Sequence, residues 1–350
     1  MKKSLLNTLL VLFGLAIGLM VAEVFIRVFY PQDRMVTWLE MHPEGFMMNS
    51  ANTEAFQEFG ERKATYSINS NRLRGAEPDH QKKRVLAIGD SFTFGLLLDQ
   101  PDTYLNILQE KLDNTGKDSI QILNAGIGGS GLADWPGWLK AYGADIDPDY
   151  LVYFLNTEDL ERALSKNLYV LQDSSVIKSQ RWEPREWMFS LGKQAWYQAL
   201  QAHSHMFNLL VKVLWAKVYF EDVTNNFDPE RSKVAIPEWR ELTIQSDYSL
   251  RLGKELLQKL NDWCTANNCK LIITTTGYFS MKNPPEHTYR LYEWLKNEKG
   301  KFHFFDNTAC VDSVAKGGLQ SITIPGDSHP DEQGAKIIAD CTARRLFDYF

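Results

Sequence analysis

The stretch Arg84-Val85-Leu86-Ala87-Ile88-Gly89-Asp90-Ser91-Phe92-Thr93-Phe94-Gly95 decides the fold. Four consecutive apolar residues, Val85 to Ile88, read as a strand buried on both faces. Gly89 permits a sharp turn, and the residues after it open a helix. Ser91 is thereby put at a helix N-terminus, where unpaired N–H groups and the macrodipole favour developing negative charge. A serine hydroxyl is a weak nucleophile until a base takes its proton. A serine that merely caps the helix is the plainer reading of the same pattern.

Working outward, the same alternation repeats. A helix with Tyr104, Leu105, Ile107, Leu108 and Leu112 on one face leads to a second strand, Ile120-Gln121-Ile122-Leu123. Residues 132–145 read as helical, and Tyr150 to Leu155 as a third strand. After a helix from about 246 to 266 come a fourth strand, Leu271 to Thr274, and a fifth, Phe302 to Phe305, and a helix over 332–348 closes the chain. Strands alternating with helices imply a parallel sheet covered on both faces. Right-handed crossovers then make a three-layer, doubly wound α/β fold with five parallel strands.

Three segments fall outside this core. Residues 31–80 are mixed and polar and read as a stalk and N-terminal extension to a domain that runs from 81 to 350. About 110 residues separate the third and fourth strands, far more than one crossover requires. Within them an insertion of about 165–245 is rich in aromatic residues, among them Trp182, Trp187, Trp196 and Trp215. It reads as extra helices packed on the core, as a substrate lid, or as a face lying on a membrane.

The third segment is the N-terminus. Lys2 and Lys3 precede an uncharged run from Ser4 to Ala22, which as a helix spans roughly 28 Å, about the thickness of a bilayer's hydrocarbon core. Residues 4–30 are expected to form a transmembrane signal anchor, with the rest of the chain on the extracytoplasmic (periplasmic) side by the positive-inside rule. A cleaved signal peptide is the rival reading. A net charge of −6 argues against a nucleic-acid partner, whose binding face is normally basic.

Outside the cytoplasm, cysteines are free to pair. The preferred pairing of the four is Cys264 with Cys269, across a helix-to-strand turn, and Cys310 with Cys341, tying down the last helix; free buried thiols are the alternative. Their spacing does not suit zinc, and no metal or other cofactor is expected.

Two further motifs carry chemistry. The run Asn124-Ala125-Gly126-Ile127-Gly128-Gly129-Ser130-Gly131 follows the second strand and can offer backbone N–H groups to an oxyanion, or be a plain turn. Asp327-Ser328-His329-Pro330 stands before the last helix. A carboxylate two residues before an imidazole can fix its tautomer, leaving the other ring nitrogen to take the serine proton. In a doubly wound sheet the loops at the carboxyl ends of the strands converge, so Ser91, the glycine loop and His329 fall on one rim. Asp331 and Glu332 read as capping residues.

With these motifs the chain resembles the SGNH, or GDSL-type, hydrolases, and more narrowly membrane-anchored bacterial members with a GDSFTFG block. The resemblance covers Arg84 to Ala163 and Thr323 to Ala339, and extends to Ile68-Asn69-Ser70-Asn71-Arg72-Leu73-Arg74-Gly75. It implies Ser91 as nucleophile, Asp327 and His329 as its partners, and the Ser91 and Gly129 amides as oxyanion donors. The family places a further donor, an Asn, at the end of the third strand. Here that position is Glu158, followed by Asp159. An ionised carboxylate cannot donate. Asn156 supplying the amide, a protonated Glu158, and an impaired site are the three accounts. The resemblance implies a serine esterase acting on acyl esters, with O-acetylated cell-envelope glycans as the expected substrate. An O-acetyltransferase with the same triad, or a catalytically weak polysaccharide-binding scaffold, are the alternatives.

Overall fold

The computed structural model describes residues 2–117, 119–172, 175–179, 186–214, 247–277, 286–298, 300–315 and 318–350. Trp182 and Trp215 lie outside the described residues, as does the stretch 215–246 of the aromatic insertion.

The chain opens with helix α1 (Lys2–Phe29). Among the described residues it is the one helix long and apolar enough to cross a membrane, with a mean hydropathy of 2.6 over Ser4–Phe29. Residues 31–80 are more than a stalk. Strands β1 (Met35–Val36), β4 (Thr53–Phe59) and β5 (Arg62–Ile68) form an antiparallel sheet, and β2 (Leu39–Met41) pairs with β3 (Met47–Asn49). Strand β5 alternates buried and exposed residues, as expected of a sheet with one face on a core.

The core alternation follows as the apolar runs predict. Strand β6 (Lys83–Gly89) leads into the short helix α2 (Ser91–Phe94), then α3 (Tyr104–Asp113) and β7 (Ile120–Asn124). Helix α4 (Trp135–Trp138) continues through a π turn (Leu139–Gly143) toward β8 (Tyr150–Leu155). Helix α5 (Asp159–Lys166) and the hairpin β9 (Tyr169–Gln172) and β10 (Ser175–Lys178) begin the insertion. Helices α6 (Glu186–Gly192), α7 (Ala195–His203) and α8 (His205–Leu214) continue it. After α9 (Asp247–Ala266) come β11 (Lys270–Thr275), α10 (Glu286–Asn297), β12 (His303–Phe305), α11 (Thr308–Val314) and α12 (Glu332–Leu346).

The central sheet has the order β12-β11-β8-β6-β7, and every pairing in it is parallel. The side-chain period of two sorts each strand onto two cores. Leu86, Ile88, Leu151, Tyr153 and Ile273 face one apolar cluster with α4, α9 and α10. Val85, Ala87, Val152, Phe154 and Ile272 face the other, with α3, α11 and α12. The strand order reverses at β6, whose neighbours are β7 and β8, so the residues after β6 sit at the switch point where such sheets bind ligands.

One disulfide joins Cys310 to Cys341, fastening α11 to α12 with a Cα–Cα distance of 5.8 Å. The second expected pair is corrected: Cys264 and Cys269 are both free thiols. Cys264 ends buried near the close of α9, and the N–H of Cys269 donates to its carbonyl at 2.8 Å. The two thiols are joined by a hydrogen bond rather than a covalent bond. That bond and burial push the Cys264 thiol well above its ordinary value.

Alkylation of the denatured, unreduced chain is therefore expected to label Cys264 and Cys269 and spare Cys310 and Cys341. Replacing Cys310 and Cys341 by Ser is expected to cost about 2–4 kcal/mol of stability, read from the denaturant midpoint. Four labelled thiols, or none, contradict this assignment.

Candidate active site

The site is built around the start of α2. Asp90, fully buried, caps this helix: its Oδ1 accepts the Phe92 N–H at 2.9 Å. Ser91 is the first helical residue rather than the cap, so its hydroxyl is not spent on capping. Instead Ser91 Oγ lies 2.8 Å from His329 Nε2. The other ring nitrogen, Nδ1, meets Asp327 Oδ1, which also accepts the His329 backbone N–H at 2.7 Å. Burial works to raise the Asp327 carboxyl, but these bonds from His329 outweigh it and hold the group below the usual aspartate value. The loop that carries the pair is closed by Ile324 N–H donating to the His329 carbonyl at 3.0 Å. Asp331 caps α12 by accepting the Gly334 N–H at 2.8 Å. The Phe92 ring packs against the imidazole. This relay can draw the proton from Ser91 toward His329.

The glycine loop after β7 lies against the same helix. A Cβ on Gly126 would stand 2.2 Å from the Phe94 backbone nitrogen, so only glycine allows this approach. Gly129 adopts a φ of 72°, a left-handed conformation that glycine tolerates best. Among the described residues, neither the Ser91 nor the Gly129 N–H donates to another protein group. Both residues line a groove of about 460 Å³, with Met35, Leu39, Met41, Met47, Leu96 and Phe189 around them. Seven of its thirteen lining residues fall between Met35 and Gln57, in the segment that reads in sequence as a stalk and N-terminal extension.

Glu158 and Asn156 both stand at the end of β8. Asn156 is buried, and its Nδ2 donates to Asp90 Oδ2 at 2.8 Å. Glu158 is ion-paired with Arg162, one helical turn on. Arg162 also donates to Asp90 Oδ2 at 2.7 Å and to the Ser130 carbonyl at 3.2 Å. Burial opposes its charge, but Asp90 and Asp159 more than compensate and raise it further. Asp159 is fully buried under the same cluster, accepting from the Asn156 N–H at 2.9 Å and Tyr153 OH at 2.8 Å. Burial, and then the charge of Asp90, push its carboxyl well above the ordinary value.

Two residues of this site escape a motif reading. Arg162 is signalled only by its i,i+4 spacing from Glu158. Arg74 lies in the segment that carries part of the family resemblance. It is buried, and its guanidinium donates to the carbonyls of Phe94, Gly95 and Leu98 at 2.8, 2.7 and 2.6 Å, gathering the loose end of α2. Burial lowers it to about 10, which leaves it charged at neutral pH. The Phe94 ring stacks on Trp38 and meets Tyr66 edge-on, so the N-terminal strands brace the serine helix from outside the core.

No protein-family model matches the chain, and neither does any curated protein. Solved structures do align with it at the level of fold. TesA aligns at 14% identity and a TM-score of 0.44, covering 77% of this chain and 100% of its own. The esterase EstA from Pseudoalteromonas sp. aligns at 12% identity and 0.43, covering 77% and 98%. A catalytic mutant of an acetylxylan esterase from Geobacillus stearothermophilus aligns at 14% identity and 0.43, covering 77% and 96%.

The buried carboxyl of Asp159 yields a stability prediction. A carboxyl with a raised folded pKa contributes most below its unfolded value, about 3.9, and that contribution is lost as pH climbs toward the folded value. Asp159→Asn removes this dependence. Its urea midpoint is expected to fall less between pH 4 and pH 7 than the parent's. A variant that loses stability more steeply with rising pH contradicts the assignment.

Proposed function

We propose that the chain is a serine ester hydrolase of the SGNH type, held at a membrane by α1, with Ser91 as nucleophile. The observation that carries this reading is the 2.8 Å contact of Ser91 Oγ with His329 Nε2, the far side of the ring resting on Asp327. In the reaction, Ser91 Oγ attacks the ester carbonyl carbon while His329 Nε2 takes the hydroxyl proton. The carbonyl oxygen becomes an oxyanion and is bound by the Ser91 and Gly129 N–H groups. The tetrahedral intermediate collapses, and the leaving alkoxide receives the proton from His329. Water, deprotonated by His329, then attacks the acyl-serine; the Oγ–acyl bond breaks, His329 returns the proton to Ser91 Oγ, and the acid leaves. Asp327 orients the ring and stabilises the imidazolium. Its bonds from His329 hold its pKa below the usual aspartate value, which favours the carboxylate.

Lys2 and Lys3 support a catalytic domain on the extracytoplasmic side. Acetylated envelope carbohydrate is the substrate that such a location favours. That choice rests on location, since the groove beside Ser91 is lined mostly by apolar side chains. A sugar hydroxyl replacing water at the acyl-serine makes the same triad an O-acetyltransferase. One observation favours a second reading, a weakly catalytic scaffold: a Glu158–Arg162 ion pair stands where an Asn amide is expected.

A fluorophosphonate probe separates these readings. The full chain is expected to label once, and Ser91→Ala to abolish labelling. A folded chain that never labels overturns the esterase reading. Glu158→Asn is expected to raise p-nitrophenyl acetate turnover by about tenfold or more, since one oxyanion donor is worth about 10²–10³ in rate. Unchanged or lower turnover rejects Glu158 as the impaired donor position.

A further inference from the structure

Two consecutive helices of the insertion expose large apolar side chains while burying polar ones, alongside the buried Tyr197 and Ala202 of α7. On α7, Trp196 and Leu200 are exposed while Gln201 is buried. On α8, Leu210, Val213 and Leu214 are exposed while His205 and Asn208 are buried. Spacings of three and four residues put each apolar set on one helical face. The buried polar groups join the helices to each other: Asn208 Nδ2 donates to the carbonyls of Gln201 at 2.7 Å and Ser204 at 2.9 Å. Among the described residues outside α1, all but three of the exposed large apolar side chains (Tyr30, Tyr289 and Val314) lie between Trp187 and Leu214. Such a concentration on a soluble surface marks a contact site.

The junction of α7 and α8 is bonded to α1. The Glu23 carboxylate accepts from Ser204 Oγ at 2.7 Å and from the N–H groups of His205 and Met206 at 2.9 Å each, and so caps α8. Arg27 donates to the His203 carbonyl at 2.7 Å, and the Gln32 N–H donates to His205 Nδ1 at 2.9 Å. Helix α1 rises roughly 28 Å between Ser4 and Glu23 at 1.5 Å per residue. That is close to the hydrocarbon thickness of a bilayer, so the capped junction stands at one lipid–water boundary.

We propose that the exposed faces of α7 and α8 lie on the bilayer that α1 spans, in the leaflet at its C-terminal end. The insertion is then a second membrane contact that presses the domain against the lipid. This rests on α1 being a retained anchor. The occupant is lipid because the junction of the two helices is bonded to Glu23 and Arg27 of α1, the same turns that expose Val24, Phe25 and Val28. A helix with one apolar face lies in the plane of the interface in this way, and tryptophan favours the same depth. The groove beside Ser91 is brought close as well. Met35, which lines it, follows Phe29 by six residues, at most about 20 Å of extended chain.

The test uses the full chain in vesicles of phosphatidylcholine and phosphatidylglycerol, with plain or brominated acyl chains. Residues 1–30 contain no tryptophan, so α1 itself gives no signal. Brominated lipid is expected to quench part of the emission. Trp196→Phe should lower the quenched share by about a tenth of total emission, one tryptophan of ten. Leu210→Trp should add a quenched component of similar size. A chain that floats with the vesicles while both variants leave quenching unchanged overturns the proposal and leaves the anchor standing. A chain that does not float overturns the anchor and the proposal together.

Discussion

The fully buried carboxylate of Asp90 ties together the elements that make this site. One oxygen caps the helix that starts at Ser91, and the other accepts Asn156 from the end of β8 and Arg162 from α5. A buried charge is costly unless it is paired and hydrogen-bonded. Asp90 meets that condition only when β6, β8 and α5 are in place together. The geometry of Ser91 is therefore a consequence of the folded sheet and not of a local turn. Arg74 acts from the other end of the same short helix, drawing in the carbonyls that a single turn leaves unsatisfied.

The same cluster takes in Glu158, whose charge is paired with Arg162. Arg162 is shared among Asp90, Glu158 and Asp159, and Asp159 relieves the crowding of negative charge by holding its proton more tightly. The site thus differs from the expected three-donor arrangement in electrostatics while keeping the serine–histidine contact. Two backbone donors, Ser91 and Gly129, carry the oxyanion in the mechanism proposed above.

Much of this was legible in the sequence, for identifiable reasons. Strands β6, β8 and β11 are buried on both faces, and a doubly buried strand reads as an unbroken apolar run. Ser91, the glycine loop and His329 are far apart in the chain, but the switch-point rule for doubly wound sheets predicts their convergence without any contact information. The N-terminal strands were less legible. Strands β1 to β3 have two or three residues each, too short for a period of two to stand out, yet they form much of the groove wall. Arg162 carries no motif, and its role emerges only once Asp90 is known to be buried beside it. Sequence reading placed Cys310 with Cys341 but misjudged the other pair, because a short turn that brings Cys264 and Cys269 together does not by itself join them.

The central claim is that Ser91 becomes acylated. It is tested most directly by mixing the full chain with p-nitrophenyl acetate, quenching in acid within the first turnover, and mapping the modified peptide by mass spectrometry. The account predicts one acetyl group, on Ser91, that is absent when His329 is replaced by Ala. An acetyl group on another residue, or p-nitrophenol released with no acylated serine at any quench time, contradicts it.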